Sequence, residues 1–512
     1  MNKKKKMSLG KILGKILFFL LRPPVYAAIL SMVIMTYVLI MEPIIGMADN
    51  GDFSRIIHKE GIYKYDEGEE DSYLSYFESR YKTKNYYNEV RTGIISTHTY
   101  FIRAAKWLDR LFTGDDGEFD IRFLGFLMML YNALGIYMIV DYATYKKPLA
   151  FSYLVAILAV FTFADTAYTA YFNSFFQEGL VETSFLAFTS ALLLMTQHRY
   201  DPIVLIIAAV FHSAILIGSK QQNALLGILI GIMFFILSRT MISGKTNEDG
   251  YIKNPVGWKH FMVILAVIYL VSAVVFYKII PEKFVYINQY HAMTRGVMMT
   301  SDNPETALEF FNVSKQYSLL NKSLYYERYP VIDVENPILV RNFYAYTGFT
   351  SILAYYVLHP NQLYQMINLA THESYIYQPQ MIGNYEKKLG KEAGARTDTF
   401  TLHSRMMNRG TPKSAGFVVL WVLLAVMLNF RDINKDVIIF ILILMGLSQI
   451  IVSTLGAGDA DLTKHVFLYN LTYDLMFYLF IIRILGSLAG AFEKKISQRS
   501  LALDKSLEYK SK

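Results

Sequence analysis

The sequence predicts an all-α polytopic membrane protein with about ten transmembrane helices, on three observations. The 512 residues are 54% hydrophobic and 18% charged, where a soluble globular chain carries about a quarter charged residues. The mean hydropathy is +0.28, which points to lipid as the main solvent. The apolar residues also gather into runs of the roughly 20 residues that a helix needs to cross the hydrocarbon.

The first run covers about 25–46, follows Arg22-Pro23-Pro24 and carries no signal-peptidase site, so it is expected to be retained. The others lie at about 121–140, 149–167, 179–196, 202–218, 224–238, 261–280, 415–430, 437–455 and 465–485. The break inside 202–238, Lys220-Gln221-Gln222-Asn223, is very short. An even count puts both termini on one side. Lys3 to Lys6, Lys11, Lys15 and Arg22 make that side cytoplasmic, as do Lys146-Lys147, His198-Arg199, Arg239 to Lys259, Arg431 and Lys435. The expected localisation is the cell membrane, multi-pass, with both termini cytoplasmic.

The chain then divides into a basic tail 1–24, a transmembrane module 25–280 with a large outer loop 47–120, an extracytoplasmic region 281–414, transmembrane helices within 415–485 and a second basic tail 486–512. Loops as long as 47–120 and 281–414 are usually functional or separately folded. Within the second, Pro304 and Glu305 open a predicted helix to Leu320, and Tyr344 to Leu369 suits a helix lying at the membrane interface. No internal repeat is visible.

Composition also excludes functions. The formal net charge of +8 sits in the tails and short loops, so it is a topology signal and not a nucleic-acid surface. The absence of cysteine removes disulfides, thiolate metal sites and a Cys nucleophile. The histidines lack HExxH spacing, and GxGxxG, Walker and GxSxG patterns are missing.

Three polar segments lie where lipid makes polarity costly. Asp49-Asn50-Gly51-Asp52-Phe53-Ser54-Arg55 sits at the mouth of the first span. Its Asn-Gly turn would let Asp49 and Asp52 converge, either to accept a proton from a hydroxyl or to hold a divalent cation. A solvated loop with a capping Asp is the plainer alternative. Asp165 and Glu178 flank the aromatic connector containing Asn173; they are functional candidates by cost, or helix caps. Lys220, on the outer side against the charge bias, calls for an anionic partner such as a phosphate, or snorkels. Asp474, near Asn470 and Thr472, lies inside the last predicted span with Lys464 and His465 at its edge, and His212 lies inside another, where an interhelical hydrogen bond is the commoner role.

The order of these motifs resembles the GT-C superfamily of membrane glycosyltransferases, in particular bacterial hexosyltransferases of surface (S-layer type) glycan synthesis. The likeness rests on Glu42 to Arg55, Tyr171 to Glu178, Ser219 to Asn223 and Tyr290 to Phe310, and so spans most of the chain. It implies a GT-C-like fold, with a catalytic module in 25–280, and transfer of a hexose from a polyprenyl-phosphate donor to a glycan or lipid acceptor on the extracytoplasmic face. It also implies a catalytic first-loop acid at Asp52 or Asp49 and a second acid at Glu178 or Asp165. In members that bind a metal, these carboxylates would be the ligands. Lys220, from its charge and not from the resemblance, would contact the carrier phosphate, and Gln221, Gln222, Asn223, Arg55, Asn173 and Asp165 would bind substrate with it. A transporter or flippase of lipid-linked glycans, or a polysaccharide polymerase, is the alternative. Membrane lipid is an expected partner, and nucleic acid is not.

Overall fold

In lipid every backbone N–H and C=O must be satisfied within the chain, which leaves helices as the spanning form for apolar runs such as these. The computed structural model describes residues 17–65, 73–84, 94–243, 255–327, 329–429 and 433–510, and nearly every apolar run in it is a helix. The first is α1 (Pro23–Leu39), opened by Pro23 and Pro24, whose missing N–H groups fall where a helix has no use for them. After α2 (His98–Thr113) come α3 (Arg122–Thr144), α4 (Leu149–Phe163), α5 (Glu178–Met195), α6 (Pro202–Ser219), α7 (Leu226–Ser243) and α8 (Pro255–Lys278). The later helices are α9 (Glu282–Ala292), α10 (Phe349–Leu358), α11 (Pro360–Ser374), α12 (Leu402–Gly410), α13 (Ala415–Asn429), α14 (Ile433–Ala457), α15 (Leu462–His465) and α16 (Phe467–Lys510).

Among the described residues seven helices are long and apolar enough to cross a membrane. The number is nine if two bent pairs each count as one span. One pair runs from α4 into Thr166–Asn173 at 44°, and the other joins α12 to α13 at 111°. The remaining expected span is α1, whose 17 residues sit at the short edge of the roughly 17–25 that suffice. The chain is thus an all-α polytopic membrane protein, and each of the ten apolar runs contains a helix.

The bundle is built around α5, which is buried along its whole length and packs between α3 and α6, while α3 also holds α1. The pairs α7–α8 and α14–α16 flank this centre. Ile207, Phe211, Val267 and Val271 are exposed on the outer faces of α6 and α8, where a bilayer would cover them.

At one end of the bundle, the head, the two long loops meet. β1 (Ile45–Met47) pairs antiparallel with β5 (Ile382–Tyr385), and β2 (Ile62–Tyr63), β3 (Arg80–Thr83) and β4 (Glu118–Asp120) form a second small sheet. The first pairing brings together strands some 340 residues apart, leaving no room for a side chain at Gly46. A Cβ there would lie 2.2 Å from the Phe77 ring.

The region 281–414 proves to have two parts. Its first part packs its own apolar core, including Tyr290, Met293, Leu308, Phe343 and Tyr356. Tyr375, Tyr377, Ile382 and Met407 instead join the core of the bundle. Two expected helices are interrupted. The run from Pro304 stops at Phe310, beyond which Asn312 takes a left-handed φ of 56°, and only a 3-10 turn, Lys315–Leu320, follows. The interfacial run divides into α10 and α11, because the ring of Pro360 drives His359 out of the helical region, to φ −123° and ψ 64°.

Candidate functional site

The turn after β1 begins with Asp49. Its Oδ1 accepts from the backbone N–H of Gly51 (2.8 Å) and of Phe53 (3.2 Å), and Gly51 supplies the positive φ of 92° that closes the turn. Its Oδ2 pairs with Lys64 at 2.7 Å. Asp49 therefore builds the turn and does not converge with Asp52. The turn presents Asp52, partly exposed, to two cations: Arg55 at 2.9 Å and the buried Lys464, at the start of the last span, at 2.5 Å. Arg55 lies over the rings of Phe284 (5.7 Å) and Tyr326 (5.4 Å), and the Lys464 ammonium over Phe176 (4.5 Å).

Burial alone would raise the Asp52 carboxyl, but Lys464 and then Arg55 outweigh it and hold it at about 2. The folded value lies below the ordinary one, so the pairing contributes stability at pH above about 4 that is lost as pH falls towards 2. A drop from 3.8 to about 2 corresponds to about 2 kcal/mol. Thermal melts of the solubilised protein are expected to lose stability through that window, and D52N to remove this component of the loss.

The second acid, Glu178, opens α5 and is 1% exposed. Its Oε1 holds Lys220 at 2.8 Å, and its Oε2 has no hydrogen-bond partner among the described residues. Lys220 thus finds its anion within the chain. The two acid–lysine pairs are neighbours, since Lys464 also feels the charge of Glu178 and His465 feels Lys220. Beside Lys220 a shallow groove is walled by Ile95, Ile217, Gly218, Ala224 and Phe276 near the head ends of α6 and α8, with Gln221 also on its lining.

Gln222 is bound on every side. The two hydrogens of its Nε2 are shared among three acceptors, Gln449 Oε1 (2.6 Å), the His465 carbonyl (2.9 Å) and Ser453 Oγ (3.1 Å), and its Oε1 meets His465 Nδ1 at 2.9 Å. Asn223 is buried and donates to Leu216 O and Ser219 Oγ. Asn173 is a staple, donating from Nδ2 to both Leu39 O and Ile45 O at 2.8 Å. Asp165 is a cap: its Oδ1 accepts from the Ala167 N–H (2.9 Å) and its Oδ2 from the Ser404 N–H (3.0 Å).

Asp52, Arg55, Glu178, Lys220 and Gln222 are therefore brought together with Lys464 and His465, while Asp49, Asn173, Asn223 and Asp165 serve the backbone around them. The donor set does not fit a divalent cation at Asp49 and Asp52. Their oxygens face Lys64, Arg55, Lys464 and backbone N–H groups, and among the described residues no three His, Asp or Glu side chains converge.

Two features escaped the reading of the sequence. Glu182, one turn beyond Glu178, is fully buried, and neither of its oxygens has a hydrogen-bond partner among the described residues. Its signal was present, because a carboxylate inside an apolar run is costly in lipid and lies four residues along the same helix face. The other is the environment of Asp474. Its carboxylate accepts from Tyr168 (2.6 Å), Tyr377 (2.9 Å) and His403 Nε2 (2.9 Å), linking α16 to α12 and the connector before α5. No local pattern announces that convergence. His212 meets Tyr131 across α6 and α3 at 2.6 Å, the interhelical bond expected of it.

No curated protein matches the chain. The family described as the YfdI N-terminal transmembrane domain matches residues 3–503, nearly the whole sequence and all of the site just described. A polytopic bundle of apolar helices is what that description calls for, and the chain belongs to the YfdI N-terminal transmembrane domain family of membrane proteins.

Proposed function

We propose that this protein is a membrane glycosyltransferase of GT-C type. It transfers a hexose from a polyprenyl-phosphate-linked donor to a surface glycan or glycolipid on the extracytoplasmic face of the cell membrane, with both termini cytoplasmic. The observation that carries the reading is the pair of neighbouring acid–lysine contacts at the head of the bundle, Asp52–Lys464 and Glu178–Lys220. Sugar transfer from a phosphate carrier needs such a set: cations for the phosphate and a carboxylate for the acceptor or the anomeric carbon.

In the reaction the acceptor oxygen bonds to the anomeric carbon, the bond from that carbon to the phosphate oxygen breaks, and polyprenyl phosphate leaves with the electron pair. Lys464 and Lys220 neutralise the charge gained by the phosphate. Asp52, held ionised at about 2, orients the acceptor hydroxyl and faces the positive charge that builds on the sugar. The apolar groove ending at Lys220 suits the first isoprene units of a carrier that enters sideways from the bilayer.

Glu182 and the Asp474 cluster, buried inside the bundle, favour a second reading as a transporter or flippase, in which ionisable groups within the membrane mark the route. Membranes containing the protein are incubated with radiolabelled polyprenyl-phosphate hexose and acceptor. Label appearing in the acceptor without translocation of the donor is the expected result, and translocation without transfer would replace the first reading by the second.

A further inference from the structure

The acceptor hydroxyl must lose a proton, and Asp52, with both oxygens facing cations, is a poor place to put it. We infer that Nε2 of His465 is the general base for the acceptor hydroxyl, in a tautomer set by Gln222. The inference rests on the transferase reading above.

The Gln222 amide nitrogen faces two oxygens that only accept, Gln449 Oε1 and the His465 carbonyl, and a hydroxyl that can accept, Ser453 Oγ. Turning the amide over would set oxygen against oxygen at 2.6 Å and 2.9 Å, so its Oε1 is the atom that meets His465 Nδ1. A carbonyl oxygen there requires Nδ1 to carry the hydrogen, which leaves the lone pair on Nε2. Gln222 is thus a positioning residue, as a hydrogen-bond partner of one ring nitrogen fixes what the other can do. The ring is partly exposed and sits next in sequence to Lys464, the cation on Asp52.

Four groups from the surrounding elements act on it electrostatically: Lys220 from the α6–α7 turn, Lys464 from α15, Asp52 from the first loop and His291 from α9. Burial and then the two lysines keep the ring neutral, so the lone pair is free before substrate arrives. A donor phosphate that engages those lysines removes their repulsion and makes the ring more basic when transfer begins. The proton then balances: it passes from the acceptor O–H to Nε2 as the new glycosidic bond forms, and from Nε2 to the departing phosphate monoester or to water.

The test uses full-length protein in membranes, with transfer from polyprenyl-phosphate hexose measured against pH per amount of inserted protein. H465Q is expected to lower the rate about 10²-fold or more and to lose the fall in rate on the acid side, where wild type protonates its base. Q222E, which sets a carboxylate against Nδ1–H, is expected to move that fall to higher pH, a shift that a merely structural role would not produce. If H465Q inserts poorly, H465A with added imidazole is used, and recovery of transfer supports the base. No transfer by wild type overturns the transferase reading itself. Transfer by wild type with an unchanged rate and acid-side fall in H465Q, or an H465A loss that imidazole does not restore, overturns the base alone.

Discussion

Replacing Asp52 with Asn is expected to lower hexose transfer by about 10³-fold, within the range of positioned acid–base and electrostatic groups, while the protein still inserts in the membrane. The amide keeps the size of the side chain and loses the charge. That charge meets Lys464 at 2.5 Å and Arg55 at 2.9 Å, so its removal takes the nearer counter-charge from two cations beside the path of the phosphate and leaves Lys464 with Asp461 at 3.9 Å. Donor binding should then hold or tighten while turnover falls, a split that distinguishes loss of chemistry from loss of fold. Membranes of D52N are assayed for transfer and for equilibrium binding of the donor. Transfer at the wild-type rate would remove Asp52 from the mechanism.

Replacing Asp474 with Ala is expected to have the largest effect on stability, about 3–5 kcal/mol, the cost of breaking a buried charged contact by removing one partner. Asp474 is completely buried, and Tyr168, Tyr377 and His403 all donate to it. Without it three donors from three segments lose their acceptor in a medium with no water to replace it. The thermal midpoint of the solubilised protein reads the loss. A cycle with H403A separates the His403–Asp474 contact, at 2.9 Å, from the two tyrosine bonds. An unchanged midpoint in D474A would mean that the three donors find other acceptors.

Much of the fold was legible because its cause is local. An apolar run of membrane length has to be a helix whatever surrounds it, and each of the ten runs contains one. Helix ends were legible to the extent that they depend on a neighbour in sequence. The break before Pro360 has its cause in an adjacent residue, although the helix expected from Tyr344 to Leu369 ran through it. The left-handed turn at Asn312 has no such marker, and the helix expected through it stops short.

The site was legible as residue types and not as partners. Charge scarcity in an apolar chain pointed to Asp49, Asp52, Glu178 and Lys220, because lipid makes each one costly. What they do depends on who meets them. Asp49 and Asp52 are three apart, yet one is spent on backbone N–H groups and Lys64 while the other faces Arg55 and Lys464. Lys220, whose charge asked for a phosphate, already has Glu178.

By itself, then, the sequence determined that the chain is an all-α membrane protein with a helix in each of its ten apolar runs, and which scarce acids stand near their ends. The first run, expected to reach 46, is helical only to Leu39 and gives its last residues to β1. Hydropathy and helix length act over tens of residues at most. Only the tertiary structure decided that Asp52 pairs with a lysine 412 positions away, that Gln222 sets the tautomer of His465, and that Asp474 gathers three donors. A pairing is a property of two distant residues, and its energy depends on separation, burial and the third group nearby, none of which the sequence records.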